Sequence, residues 1–523
     1  MRQATKRGKF WFGLLAAALL LMGAAAALAA GGKTVAERRA EAEELLIQQN
    51  EMLWQTYVFG KPSEQAGLYR AHRELFGRDT IAQVKAAMAA ATVPEEKRAL
   101  GYFLRYLEIE YINNETAVLW DIESDLEANE MVLVDGKLVP YFNLRGIIAN
   151  QADPAKRAEL SKEEYRIYGL LNQVILQRIF DAGHRLAVDL GYRDYLDLSV
   201  AYRMFDLEEL LGRGREFIDQ SETAYLKLFD EVSPIPRRDF RRSDIGRLLG
   251  NKEFDAYFPA DKLMAAAFAT FDKLGVGDVA RHKILVQDEP LPKKNPRAAC
   301  FSVKVPADVR LTIKPIGGYD DYSALFHDFG HALHFAHGKN PVWEFQQLGS
   351  NAVTEGYAYL MQSLPDRDAW LKKYTTMPPA ERQKIHQRVK FGRFYMARRY
   401  MAKLLYETEF HRGAENPRQR YQYWLSKAYG FQLNDEEATR YLTDLDPFLY
   451  AADYVQAFYL EAMLDHHLRK NFGKLWWENP KAGAFLTGLW AEANRLTGAE
   501  LAAKLGYPHY DNRILLEYLE ADD

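Results

Sequence analysis

The chain has 523 residues, 48% hydrophobic and 27% charged, with a formal net charge of −4; this is the composition of a folded globular protein, neither disordered nor fibrous. So near a balance of charge gives no support to nucleic-acid binding, which goes with a strong basic excess. The single cysteine, Cys300, excludes an intrachain disulfide framework and any multi-cysteine metal site, so a metal here would have to be held by His, Asp or Glu.

Taken in chain order, residues 1–29 read as an export signal. Arg2, Lys6, Arg7 and Lys9 precede an uncharged run from Phe10 to Ala30 that ends Ala27-Leu28-Ala29-Ala30, the order of basic, apolar and small-residue regions in a cleaved leader. A membrane anchor through residues 10–30 is the competing reading, because about 20 apolar residues can span a bilayer. No comparable run follows, so the remaining chain is expected to be exported, periplasmic or secreted, without stable membrane insertion. All four leader bases belong to a segment expected to be removed, so the mature chain is more acidic than the total suggests.

From Thr34 to about Gly275 the pattern is mostly helical, with apolar residues three and four apart in Ala36–Tyr57, Ile81–Ala91, Glu95–Ile112 and Glu163–Leu190. Met131–Tyr141 is the exception, where Asp135-Gly136 between short apolar runs predicts a small hairpin. Ser233-Pro234-Ile235-Pro236 and Asp288–Pro296 read as loops, and Arg237, Arg238, Arg241 and Arg242 as a solvated face. Ala298–Val305 and Val309–Lys314 are β-prone and predict paired strands. Helical periodicity resumes at Ser323, with long helices near Pro379–Phe410 and Tyr450–Lys470. The expected architecture is mainly α, with a small β element just before the residues that carry chemistry. Residues 30–295 form an N-terminal helical region and 296–523 a second region, the two making one integrated unit.

Four of the twelve histidines fall within eleven residues, His327, His331, His334 and His337. His327 and His331 stand at i and i+4, so on a helix both rings leave one face and can converge on a zinc ion. Spacing alone is weak evidence, but three features strengthen it. Asp328 follows the first histidine, where a zinc hydrolase needs a carboxylate to take a proton from water. The helix is otherwise apolar, and buried histidines need partners. Glu355 lies in a second short helical run, Asn351–Tyr359, and could return a carboxylate as third ligand; two His, one Glu and an open position make a catalytic site rather than a structural one. His334, at i+7, sits about 10.5 Å further along the axis and reads as a supporting or core residue. His337 is expected at the surface.

These motifs resemble the zinc peptidases grouped as gluzincins, in particular the thimet-oligopeptidase-like and angiotensin-converting-enzyme-like families. Phe326–His334 resembles their H-E-x-G-H-A-L-H helix, Gly349–Glu355 the segment carrying the third ligand, and Lys481–Leu519 their C-terminal stretch. The resemblance runs from about Arg297 to the C-terminus. It implies two helical lobes around a deep channel that admits short unstructured peptides, and one zinc per chain held by His327, His331 and Glu355. It also implies that Ala298–Lys304 is an edge strand that pairs with substrate backbone, which would bring Cys300 near the cleft. Asp446–Tyr454 resembles the tyrosine-rich helix start whose phenols stabilise the oxyanion, which makes Tyr450 or Tyr454 the donor. The histidine these families place shortly before that pair has no match; Thr443 and Asp444 stand there.

Asp328 departs from the pattern, which has glutamate as general base. Aspartate is one methylene shorter, about 1.5 Å of reach, and a misplacement near 1 Å can cost on the order of 10²-fold in rate. The expected function is an exported zinc metallopeptidase that hydrolyses short peptides through activated water. The alternative is a weakened or inactive relative that still binds zinc and peptides. Tyr359, on the same helix face as Glu355, is expected to support the ligands.

Overall fold

Apolar residues at helical spacing become helices along most of the chain in the computed structural model, which describes residues 32–521. The expected leader and its cleavage site lie outside the described residues, and no helix among those described is long and apolar enough to cross a membrane. Thr34 opens the first helix, Val35–Phe59, through a capping box with Glu37. Pro94, at the first position where a missing N–H does no harm, opens the long helix Pro94–Asn129, which runs well past Ile112. The run expected as Glu163–Leu190 is instead Pro154–Leu171, a π-helical turn over Asn172–Leu176, and Gln177–Asp189.

The expected hairpin forms from β1 (Met131–Val134) and β2 (Lys137–Pro140), antiparallel, with Val134 opposite Lys137. Asp135 and Gly136 both take positive φ, 49° and 77°, the conformation a two-residue hairpin loop demands. A second sheet holds three strands in the order β3-β5-β4: β3 (Ile284–Gln287), β4 (Ala299–Lys304) and β5 (Asp308–Thr312). β4 and β5 pair as expected, in antiparallel sense, whereas β3, parallel to β5, was not anticipated. Its four residues give too short an alternation to stand out. The buried Lys294 secures the loop after β3, donating to the carbonyls of Gln287 (2.7 Å), Glu289 (3.1 Å) and Ile313 (2.6 Å).

The basic cluster splits. Arg238 and Arg241 are exposed and Arg237 pairs with Asp230 at 2.7 Å, but Arg242 turns inward toward Glu164 and its N–H donates to Glu437 at 2.8 Å.

The main hydrophobic core draws on both halves of the chain, from Val132 to Leu519. A smaller core lies among the helices Val35–Phe59, Arg78–Ala90 and Pro94–Asn129. Trp54 and Val58 of the first helix cover Phe301 and Val303 of β4, so one face of this strand is sealed by a distant segment. At the centre, the helix Asn351–Gln362 packs between Tyr319–Ala336 and Ala451–Phe472, and Pro379–His411 lies against the last of these.

Candidate metal centre and its surroundings

Two glycines decide how close these three helices come. A Cβ on Gly330, between the two histidines, would lie 2.5 Å from Ala358 Cα and 2.8 Å from the Tyr357 carbonyl oxygen. A Cβ on Gly356, next to Glu355, would lie 2.8 Å from Leu460 Cβ. Only hydrogen fits at Gly330, so the histidine helix and the glutamate helix cross almost backbone to backbone. That crossing carries the Glu355 carboxylate to the histidines.

His327 Nε2 and His331 Nε2 are 3.2 Å apart, and Glu355 Oε2 lies 3.5 Å and 3.9 Å from them. The far nitrogens both have partners. His327 Nδ1 sits 2.9 Å from Gln362 Oε1, whose amide nitrogen donates in turn to Ser323 Oγ at 2.9 Å. His331 Nδ1 sits 2.8 Å from Thr354 Oγ1. With both Nδ1 groups donating, the two Nε2 lone pairs would face each other across the gap, an arrangement a cation between them would stabilise.

The donor set fits such a cation. Four ligands at zinc–nitrogen distances near 2.0–2.1 Å in a tetrahedron stand about 3.3 Å apart, close to the spacings seen. Glu355 Oε2 is buried with no hydrogen-bond partner, and an orphaned carboxylate oxygen is costly unless an ion satisfies it. Burial pushes His327 down to about 4, His331 well below its ordinary value, and Glu355 up to about 8. All three follow from withdrawing the groups from water. Among the described residues this is the one trio of His, Cys, Asp or Glu whose ligand atoms converge, all within 4.8 Å.

Asp328, next to His327, reaches β4. Its carboxyl lies against the Cys300 backbone N–H on β4, and burial raises it to about 7. With β5 on one side of β4, this contact brings the strand's other edge to the histidine helix. Cys300 is therefore beside the site, as the resemblance implies, but its thiol is pushed well above the ordinary range by burial and by Asp328, which leaves it unreactive. A cavity of about 480 Å³ opens next to His327 and Asp328, walled also by Tyr359, Met396, Phe458 and Glu461.

The tyrosines come from a third element. Tyr450 donates to Glu355 Oε1 at 3.2 Å, and its ring meets that of Tyr454 edge-on at 5.0 Å. Tyr359 stands with its ring 5.2 Å from His327 and stacked on Phe458. Tyr450 follows an unusual turn, in which Phe448 and Leu449 both take positive φ, 51° and 53°. Side chains in this region cost roughly 1–2 kcal/mol each, so the surroundings must hold the turn. Tyr195 accepts from the Phe448 N–H at 2.9 Å, and Arg203 donates to the carbonyls of Phe448 and Pro447.

The remaining candidates resolve simply. His334 is fully buried, with Nε2 3.1 Å from the Ala493 carbonyl oxygen, a core residue. His337 is a correction: it is half-buried, its ring 5.2 Å from Trp490 and Nδ1 2.8 Å from the Leu333 carbonyl oxygen, because the helix's last turn packs against Pro480–Trp490. Thr443 and Asp444 do not replace the missing histidine. Thr443 donates to the Arg440 carbonyl, and Asp444 faces the interior, bound to Arg399 at 2.5 Å and Tyr421 at 2.9 Å. Gln362, Thr354 and Arg203 escaped the sequence reading. Gln362 is seven residues after Glu355 and so shares its helix face, a signal that was there to use; nothing local points to Arg203.

No family model matches the chain, and no curated protein matches it by sequence. Its structure is similar to that of a PZ peptidase A solved with an inhibitor, at 13% identity and TM-score 0.65, covering 94% of this chain and 93% of that one. It is similar to a putative oligoendopeptidase F at 14% identity and TM-score 0.67, covering 93% and 91%. A Pyrococcus furiosus carboxypeptidase, at 14% identity and TM-score 0.59, is covered to 98% by 94% of this chain. At such identities the likeness establishes a mainly α fold shared over nearly the whole length.

Proposed function

We propose that this mainly α chain, folded like proteins named as peptidases, is an exported zinc metallopeptidase acting on short unstructured peptides. The observation that carries the reading is the meeting of His327, His331 and Glu355, each nitrogen oriented from behind and one carboxylate oxygen left without a protein partner. Zinc held there would polarise a scissile carbonyl and make a water more acidic. Asp328, against β4 and the neighbouring cavity, takes the proton from the attacking water and passes it to the leaving amine. Tyr450, with Tyr454 beside it, donates to the oxyanion that develops on the carbonyl oxygen; its hydrogen bond to Glu355, beside the proposed ligands, supports this reading. The edge of β4 away from β5, where Asp328 meets Cys300 and Gln347 meets Ser302, is where an extended peptide would bind by strand addition.

The test starts from protein recovered from the exported fraction, with its N-terminus at Ala30. It is expected to hold about one zinc per chain and to cleave quenched-fluorescent peptides. Chelation should abolish cleavage, and Asp328→Asn should abolish it with zinc retained. Folded protein without zinc would sink the reading. Zinc without cleavage, gained on Asp328→Glu, would locate the defect in the reach of the base.

A further inference from the structure

Tyr450 reaches Glu355 from a turn whose two preceding residues are in the left-handed region, so something must fix it. The side chain best placed to do so is 247 positions away in sequence, at the end of the short helix Tyr195–Arg203. Arg203 is 6% exposed, and its five N–H donors spread over the whole turn. One donates to the Phe448 carbonyl, one to the Pro447 carbonyl at 3.1 Å, and one to the Asp453 carboxylate. The guanidinium carbon also lies 4.6 Å from the centre of the Tyr450 ring and 5.2 Å from that of Tyr202, between two aromatic faces. Asp453 in turn lies against the Ala352 backbone N–H, in the first turn of the helix that carries Glu355.

We infer that Arg203 is a positioning residue that holds Tyr450 over the metal ligands by gripping the Pro447–Phe448 carbonyls, the Tyr450 ring and Asp453 at once. The inference rests on the reading of Tyr450 as oxyanion donor. A planar, rigid fork can satisfy three acceptors and stack on a ring together; a lysine ammonium cannot reproduce that. Arg203 touches no reacting atom in this scheme. Its influence on the reaction passes through the phenol, while His327 and His331 are oriented separately, by Gln362 and Thr354.

The experiment is a double-mutant cycle on the full zinc-loaded chain with Arg203→Lys and Tyr450→Phe. Tyr450→Phe alone is expected to lower kcat about 100-fold. Arg203→Lys alone should lower kcat about 10- to 30-fold, with KM within about twofold and zinc content unchanged. In the Tyr450→Phe background, Arg203→Lys should cost less than about threefold more, because its effect has already been removed. Equal losses in the two backgrounds, or loss of zinc with Arg203→Lys, would overturn the inference and leave the role of Tyr450 standing. Full activity of Tyr450→Phe would overturn that role and this inference together. Should Arg203→Lys fail to fold, Asp453→Asn, which weakens one anchor of the same fork, enters the cycle in its place, judged on kcat alone because Asp453 also contacts the helix of Glu355.

Discussion

The proposed metal ligands and the proposed oxyanion donor, Tyr450, meet at one oxygen pair, that of Glu355, yet they are held by opposite means. The ligands sit inside two regular helices whose separation is set by a glycine, so their geometry follows from helical periodicity and one close crossing. Tyr450 sits after an irregular turn with two left-handed residues, held by Tyr195 and Arg203 from a helix some 250 residues earlier. The first construction is local, repeated and stiff. The second is assembled from distant parts and depends on each of them. Damage to the first should therefore remove metal, and damage to the second should remove rate alone.

The largest expected effect breaks the first side. Gly330→Ala forces a methyl group to within 2.5–2.8 Å of backbone atoms of Ala358 and Tyr357. Backbone cannot rotate away as a side chain can, so the two helices must separate. Overpacking of this kind costs about 3 kcal/mol, read as a lower urea midpoint. Zinc should fall well below one per chain, because a shift of a few tenths of an ångström already spoils convergent ligand distances. Gly330→Ala that keeps full zinc would show that the crossing is not what sets the site.

The same contrast explains what the sequence disclosed. The convergence of His327 and His331 was legible because a helix converts spacing into facing, and that of Glu355 because a second helical run returns to the first. The mainly α class and the hairpin at Asp135-Gly136 were legible for similar reasons: each needs only neighbours in sequence. His337 was placed at the surface because nothing near it in sequence announces Trp490. Strand β3 was hidden because four residues give almost no periodicity. Arg203 was illegible in principle, since its partners lie at Pro447, Phe448 and Asp453, and no local pattern encodes a contact over that distance. Even Tyr450 was found by resemblance, not by periodicity.

A middle-sized effect sharpens the second side. Tyr195 is buried and its oxygen accepts the Phe448 N–H at 2.9 Å. Tyr195→Phe leaves that N–H buried without an acceptor, a loss of about 2 kcal/mol. We expect a matching drop in denaturation midpoint and a fall in kcat of roughly tenfold, with zinc held at the wild-type level. Simultaneous loss of zinc would mean that the turn and the metal centre are one construction rather than two.

The smallest effect concerns protons behind the turn. His184 Nε2 and His411 Nδ1 are 2.8 Å apart, and the Tyr195 ring lies 4.6 Å from that of His411. Burial lowers both histidines, His411 well below 6.5 with His184 adding to it. Both therefore stay neutral in the folded protein at pH values where the unfolded chain already binds a proton. The unfolded state then holds more protons, so stability is present above pH 6.5 and is lost as pH falls toward the folded values, by at most about 1.4 kcal/mol per pH unit for each group. The histidines of the metal centre share this tendency, so the wild-type curve alone cannot isolate the pair. His411→Gln can, because glutamine keeps a hydrogen-bonding side chain and cannot titrate. Its stability deficit relative to wild type, measured by urea unfolding of the zinc-loaded protein, should shrink between pH 7.5 and 5.5. A deficit constant across that range would show that this pair takes up protons equally in both states and adds nothing to acid sensitivity on the tyrosine side.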